Sequence, residues 1–130
     1  MEVYDEAHAL ARNLRASDAF QRLVKAKEAL EAQPEKLERV KEFKAREFEV
    51  QAQTLAGGKV AEEKLKALQQ MADLLLLDPV AREYLESEAK FARLFADVQK
   101  IILDAVKEWK PFGMPEAFRA QHDEDKKTEI

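Results

Sequence analysis

His8 is a residue whose type could do chemistry, and Asp5 and Arg12 sit one helical turn away on either side of it. An imidazole so placed could serve as a general base or join a metal. A zinc-type site needs three or four converging His, Cys or carboxylate ligands. The other imidazole, His122, lies at the far end of the chain, and there is no Cys. His8 therefore reads as a surface or partly buried structural residue. Asp5-Glu6 and Glu62-Glu63 are carboxylate pairs by sequence alone. Adjacent helical residues point about 100° apart and do not converge. Both pairs fall in first turns, where negative charge suits the helix dipole. Lys36, Arg39, Lys41, Lys44 and Arg46 could form a basic patch for RNA, but Glu35, Glu38, Glu42, Glu47 and Glu49 interleave with them. Mixed signs around one helix describe a solvated, ion-paired face. Phe91, Phe95 and Trp109 could face a cofactor, but at helical spacing they read as core or interface. The expectation is no catalytic residue, no metal and no cofactor.

The elements that must position these residues are helices. Among 130 residues only three are Gly and four are Pro, and 37% are charged. Ala, Leu, Glu, Lys and Gln abound while β-branched residues are sparse, a composition for helix. The net charge of −4 has both signs interspersed. Such a surface disfavours direct contact with nucleic acid. The acidic start, Met1 to Asp5, is no secretory signal. The longest apolar run, Leu74 to Leu77, is too short to span a bilayer. A cytoplasmic protein is the default expectation, and Leu74 to Leu77 should be buried against the last helix.

Taken in order, residues 2–15 form a first helix with Val3, Ala7, Leu10 and Leu14 at helical spacing. Ser17 is an N-cap for a second helix over 18–32, with Phe20, Leu23, Val24 and Leu30 inward. A single kinked helix across Ser17 stays open. Gln33-Pro34 starts a charged third helix over 35–56 with a narrow apolar face, anchored at Leu37, Val40, Phe43, Phe48, Val50 and Leu55. Gly57-Gly58 is the clearest turn, and a fourth helix follows over 60–77. The short turn makes the third and fourth helices an antiparallel hairpin.

Asp78-Pro79 opens the last helix, which runs without Gly or Pro to Trp109. At 1.5 Å per residue it would be about 45 Å long. Two apolar stripes lie side by side along it. Tyr84, Phe91, Leu94, Val98, Ile101 and Ala105 make one; Leu85, Ala92, Phe95, Ile102, Val106 and Trp109 make the other. Together they cover roughly 200° of arc, against about 100° for a helix packed on one side of a globule. Such a helix has two surfaces to cover, one by its own bundle and one by a second chain. Phe91, Leu94, Phe95, Val98, Ile101, Ile102, Ala105 and Trp109 are the expected core or dimer-interface residues. Residues 1–110 read as one helical domain and 111–130 as a short extension and flexible charged tail, with one more turn or two over Glu116 to Gln121.

The order of these signals resembles a known family. A helix with Tyr4-Asp5 and Leu10 leads to Ser17-x-x-Phe20, then to a Pro34-started charged helix and a Gly turn. A Leu-rich helix, Asp78-Pro79, Tyr84-Leu85 and a long helix ending Val98-Gln99-Lys100-Ile101-Ile102 complete it. This pattern, over about residues 3–106, is similar to the YlbF/YheA/YmcA family of small bacterial helical proteins. The resemblance implies an all-α bundle of about five helices that self-associates. It implies non-enzymatic adaptor work with other regulatory proteins: the YlbF/YmcA branch acts with a third protein, influences competence, sporulation and biofilm formation, and assists the endoribonuclease RNase Y. The first helix leans towards the YheA branch. Iron–sulfur clusters held by Cys in some adaptor complexes do not carry over, because this chain has no Cys. The reading is a homo-oligomeric, non-enzymatic adaptor or regulator whose client proteins dock on the charged hairpin 35–77. The alternative is an RNA-binding accessory factor of an endoribonuclease.

Overall fold

Local punctuation divides the chain as its residue types require. The computed structural model describes residues 2–109. Ser17 takes an extended backbone, and its Oγ accepts from the Phe20 amide at 3.2 Å while donating to the Leu14 carbonyl at 2.7 Å. One hydroxyl thus ends α1, Glu2–Ala16, and caps α2, Asp18–Glu31. The two are separate helices, not one kinked helix. Pro34 opens α3, Pro34–Leu55, where its missing N–H costs nothing.

Gly57, at φ 81°, takes the left-handed conformation after α3. The Gly58 amide donates to the Gln53 carbonyl and the Gly57 amide to the Thr54 carbonyl, both at 3.0 Å. This pairing of the last carbonyls is the Schellman arrangement, for which Gly is suited. The next helix, α4, spans Glu62–Leu76. It begins two residues later than expected, after an N-cap, Ala61, that offers no side-chain oxygen. Asp78 Oδ1 then accepts from the Val80 and Ala81 amides at 2.9 and 3.3 Å, and α5 runs Pro79–Ala105. The described residues hold these five helices and no strand, the all-α class expected.

By its contacts the chain divides into residues 1–97 and 98–130. In the first unit Leu30, Val40, Phe43, Leu75 and Ala81 form one buried cluster. They come from α2, α3, α4 and the start of α5. Leu37, Leu68, Met71, Tyr84 and Leu85 pack around it. Ala26, Ala81 and Ser87 are buried small residues. The Ser87 Oγ meets its need for a partner by donating to the Tyr84 carbonyl at 3.1 Å.

Two expectations need correction here, the burial of Leu74 to Leu77 and the distal apolar anchors of α3. Leu74 to Leu77 do not go in together: Leu75 is 8% exposed, but Leu74 is 69% and Leu77 77% exposed. Four consecutive residues face all round their turn, so one packed side buries one of them. No residue of α1 is buried, and Val3 and Tyr4 are both well exposed. The distal half of α3 is likewise open, with Phe48 and Leu55 exposed.

In the second unit the described part is the end of α5 and the residues after it. The helix stops at Ala105, short of Trp109. The Val106 amide bonds back to Leu103 and the Trp109 amide to Val106. These are three-residue bonds, the tightening that closes a helix C-terminus. The extension and tail expected over 111–130 lie outside the described residues. No helix among the described residues is long and apolar enough to cross a membrane.

Candidate functional site

The residues singled out for chemistry do not converge. His8 is exposed on α1. Among the described residues no group of three or more His, Cys, Asp or Glu could hold a metal; His122 lies outside them. Glu62 and Glu63 are exposed in the first turn of α4, and Glu62 meets Lys66 at 3.6 Å. Asp5 and Glu6 are exposed on α1.

The basic run of α3 is spent on ion pairs. Lys36 meets Asp78 at 2.9 Å, Lys41 meets Glu38 at 3.6 Å, and Arg46 meets Glu42 at 2.9 Å. Lys44 reaches Glu88 on α5 at 2.5 Å and Glu47 at 3.2 Å. Arg39 alone of the five has no carboxylate partner among the described residues.

Two of these contacts, Lys36–Asp78 and Lys44–Glu88, join those of Arg22 on α2 in a charged frame that clamps α5 to α2 and α3. Arg22 grips Glu83 through two parallel bonds of 2.5 and 2.8 Å and reaches Glu86 at 3.6 Å. The fork geometry is the one guanidinium favours. The hydrogen bond to Arg22 lowers the Glu83 pKa, and the same contact raises that of Arg22. The hydrogen bond from Lys36, joined by the two backbone amides, holds Asp78 below the usual carboxylate value. Burial pulls the Lys44 pKa down, but the bonds to Glu88 and Glu47 outweigh it and leave it raised. Tyr84 donates to Glu88 Oε2 at 2.5 Å. Burial first, and then that carboxylate, push its phenol up to about 12. No sequence signal links Arg22 to Glu83, because a side chain on α2 has no fixed register against α5 until the helices pack.

The expected interface residues divide by unit. In the first, Phe91 packs on Phe20 with ring centroids 5.0 Å apart and stacks on Phe95 at 6.1 Å. Phe91 and Leu94 are half-buried by their own chain, whereas Phe95 is exposed. In the second, Val98 is half-buried and Ala105 exposed. Ile101 and Trp109 are each 70% exposed, and Ile102, Leu103 and Val106 also face outward. Val98, Ile101, Ile102 and Ala105 fall within about 100° of arc on the helical wheel. With standard side-chain areas, the outward part of Ile101, Ile102, Leu103, Val106 and Trp109 amounts to something on the order of 600 Å².

Among the described residues this arrangement offers apolar faces and paired charges. The family described as "Control of competence regulator ComK, YlbF/YmcA" matches residues 3–107. The chain belongs to the YlbF/YmcA family. That is a family of regulator-control proteins, not a family of enzymes. Among relatives, a UPF0342 protein of Desulfitobacterium hafniense is 34% identical over 113 residues, covering 87% of this chain and 91% of its own. A UPF0342 protein of Caldicellulosiruptor saccharolyticus is 38% identical over 104 residues, covering 80% of this chain and 87% of its own. The fold matches a solved structure, a protein of unknown function (DUF964) from Bacillus stearothermophilus. The TM-score is 0.69 at 18% identity, over 88% of this chain and 100% of that one. At that identity the likeness speaks for the fold alone.

Proposed function

We propose that this YlbF/YmcA-type chain is a non-enzymatic regulatory adaptor that works as a homodimer, with the C-terminal half of α5 as the contact between copies. The observation that carries the reading is the row of outward apolar side chains from Ile101 to Trp109. A monomer's largest apolar patch is about 300–600 Å² and is often functional. A stable interface needs about 800 Å² from each partner. The row spreads over about 200° of the helical wheel and supplies part of that on any one side, and Val98 extends it. Client proteins dock on the α3–α4 hairpin, whose outer end presents Phe48, Leu55 and Leu65. With four of the five α3 cations already held by carboxylates, influence on RNA turnover runs through a client protein and not through direct RNA contact.

Ile101→Asp is the test. Its side chain is exposed in the single chain, so a carboxylate there leaves the fold intact but becomes buried and unpaired in a dimer. Sedimentation equilibrium should read wild type as a dimer and Ile101→Asp as a monomer, with equal helicity by circular dichroism. A variant that keeps the wild-type mass overturns the assignment of the interface to α5.

A further inference from the structure

A second apolar surface lies in the first unit. An open cleft of roughly 350 Å³ runs between the first turns of α3, the last turns of α4 and the start of α5. Met71, Leu74 and Leu75 form its apolar side. Lys36, Arg39, Glu42 and Asp78 line the rest. Both carboxylates there are matched, Asp78 by Lys36 and Glu42 by Arg46. Arg39, beside the exposed Leu74, is the one cation lining the cleft that no carboxylate among the described residues reaches. The cleft therefore suits an apolar side chain flanked by carboxylates.

The chain itself carries such a segment. The first turns of α1 read Glu2-Val3-Tyr4-Asp5-Glu6. Val3 is 74% exposed and Tyr4 is exposed with it. Glu2, Asp5 and Glu6 form no ion pair among the described residues. The unmatched negative charge of α1 and the unmatched positive charge of the cleft each sit beside unburied apolar side chains. No residue of α1 is among those lining the cleft, and Val3 is uncovered in its own chain, so the cleft can take the segment from another molecule.

We propose that the start of α1 is an arm that docks in the Arg39–Leu74 cleft of a second copy, Val3 and Tyr4 on Met71 and Leu74, with the acidic residues around Arg39. Done reciprocally, the contact is two-fold and closes on itself. It uses none of the α5 face, and by itself it is too weak to hold two copies together at equilibrium, so Ile101→Asp still sediments as a monomer while oxidation traps the arm contact.

Because the chain has no Cys, any disulfide reports only introduced thiols. Full-length Val3→Cys and Leu74→Cys proteins, one of them tagged, are mixed and oxidised. Both positions are exposed in the single chain, so the fold tolerates the change. The mixed disulfide should exceed either like-with-like disulfide severalfold. Arg39→Glu in the Leu74→Cys chain should cut its yield a few-fold, as expected for an exposed charge contact. Glu2→Lys with Glu6→Lys in the Val3→Cys chain should restore it. The mixture is read in both wild-type and Ile101→Asp backgrounds. A mixed disulfide in either background supports the arm even if the α5 interface fails. Statistical yields in both backgrounds, or yields indifferent to Arg39→Glu, overturn it. A double Val3→Cys, Leu74→Cys chain that closes only within itself also overturns it, by placing the arm on its own cleft.

Discussion

Tyr84 shows how a single residue reads the packing around it. Its ring lies against the buried cluster and its hydroxyl donates to Glu88, which Lys44 also holds. Ionising that phenol would bring a second anion beside a carboxylate in a half-buried site, hence its pKa of about 12 against an ordinary 10.0. The sign follows for stability. Above 10.0 the unfolded chain ionises Tyr84 while the folded chain does not, so this contribution is complete below that value and drains away as pH rises towards about 12. Phenolate absorbance compared between wild type and Tyr84→Phe should place the missing step near 12. A step lost at the ordinary value instead would mean that the Tyr84–Glu88 contact does not form. The sequence showed Tyr84 as one of a row of apolar positions. The partner Glu88, one turn on, belonged to no stripe, so the coupling was visible only once α3 brought Lys44 to it.

At the scale of elements, boundaries were legible wherever a residue type has one physical use. Ser17 caps α2, Pro34 opens α3, Gly57 takes the left-handed turn, and Asp78 caps α5. Where no such residue stands, as at Ala61 before α4 or after Ala105, the expected ends ran long by a few residues. Ser17→Ala removes the oxygen that the Phe20 amide uses and should cost about 1 kcal/mol. Urea unfolding checks it; a cost indistinguishable from zero would mean that water replaces the hydroxyl there. Burial was less legible than boundaries. Periodicity names the apolar positions of a helix, but only neighbouring helices decide which are covered. Val40 and Phe43 on α3 go inside while Phe48 and Leu55 on the same helix stay out. The surplus apolar circumference of α5 was visible as a pattern; which end of it would be left open was not.

At the scale of the whole molecule, a small buried cluster is held in register by a charged frame. Acid should weaken it. Asp78 and Glu83 have folded pKa values below their ordinary 3.8 and 4.5. The stabilisation from their ion pairs is present above those ordinary values and is lost as pH falls through the lowered ones. Urea midpoints should therefore drop between about pH 5 and about pH 3, and less steeply when Lys36→Gln and Arg22→Gln remove the partners. A midpoint unchanged over that window would remove the frame from the account of stability. The same molecule leaves its apolar side chains outermost on α1, on the outer end of the α3–α4 hairpin and on the end of α5. In a regulator-control family, those faces are where function is expected. The most direct measurement is the mass of the untagged wild-type chain in solution by light scattering at low micromolar concentration. The account predicts twice the 14.9 kDa chain mass. A folded particle of a single chain mass, unchanged as concentration rises, would contradict it.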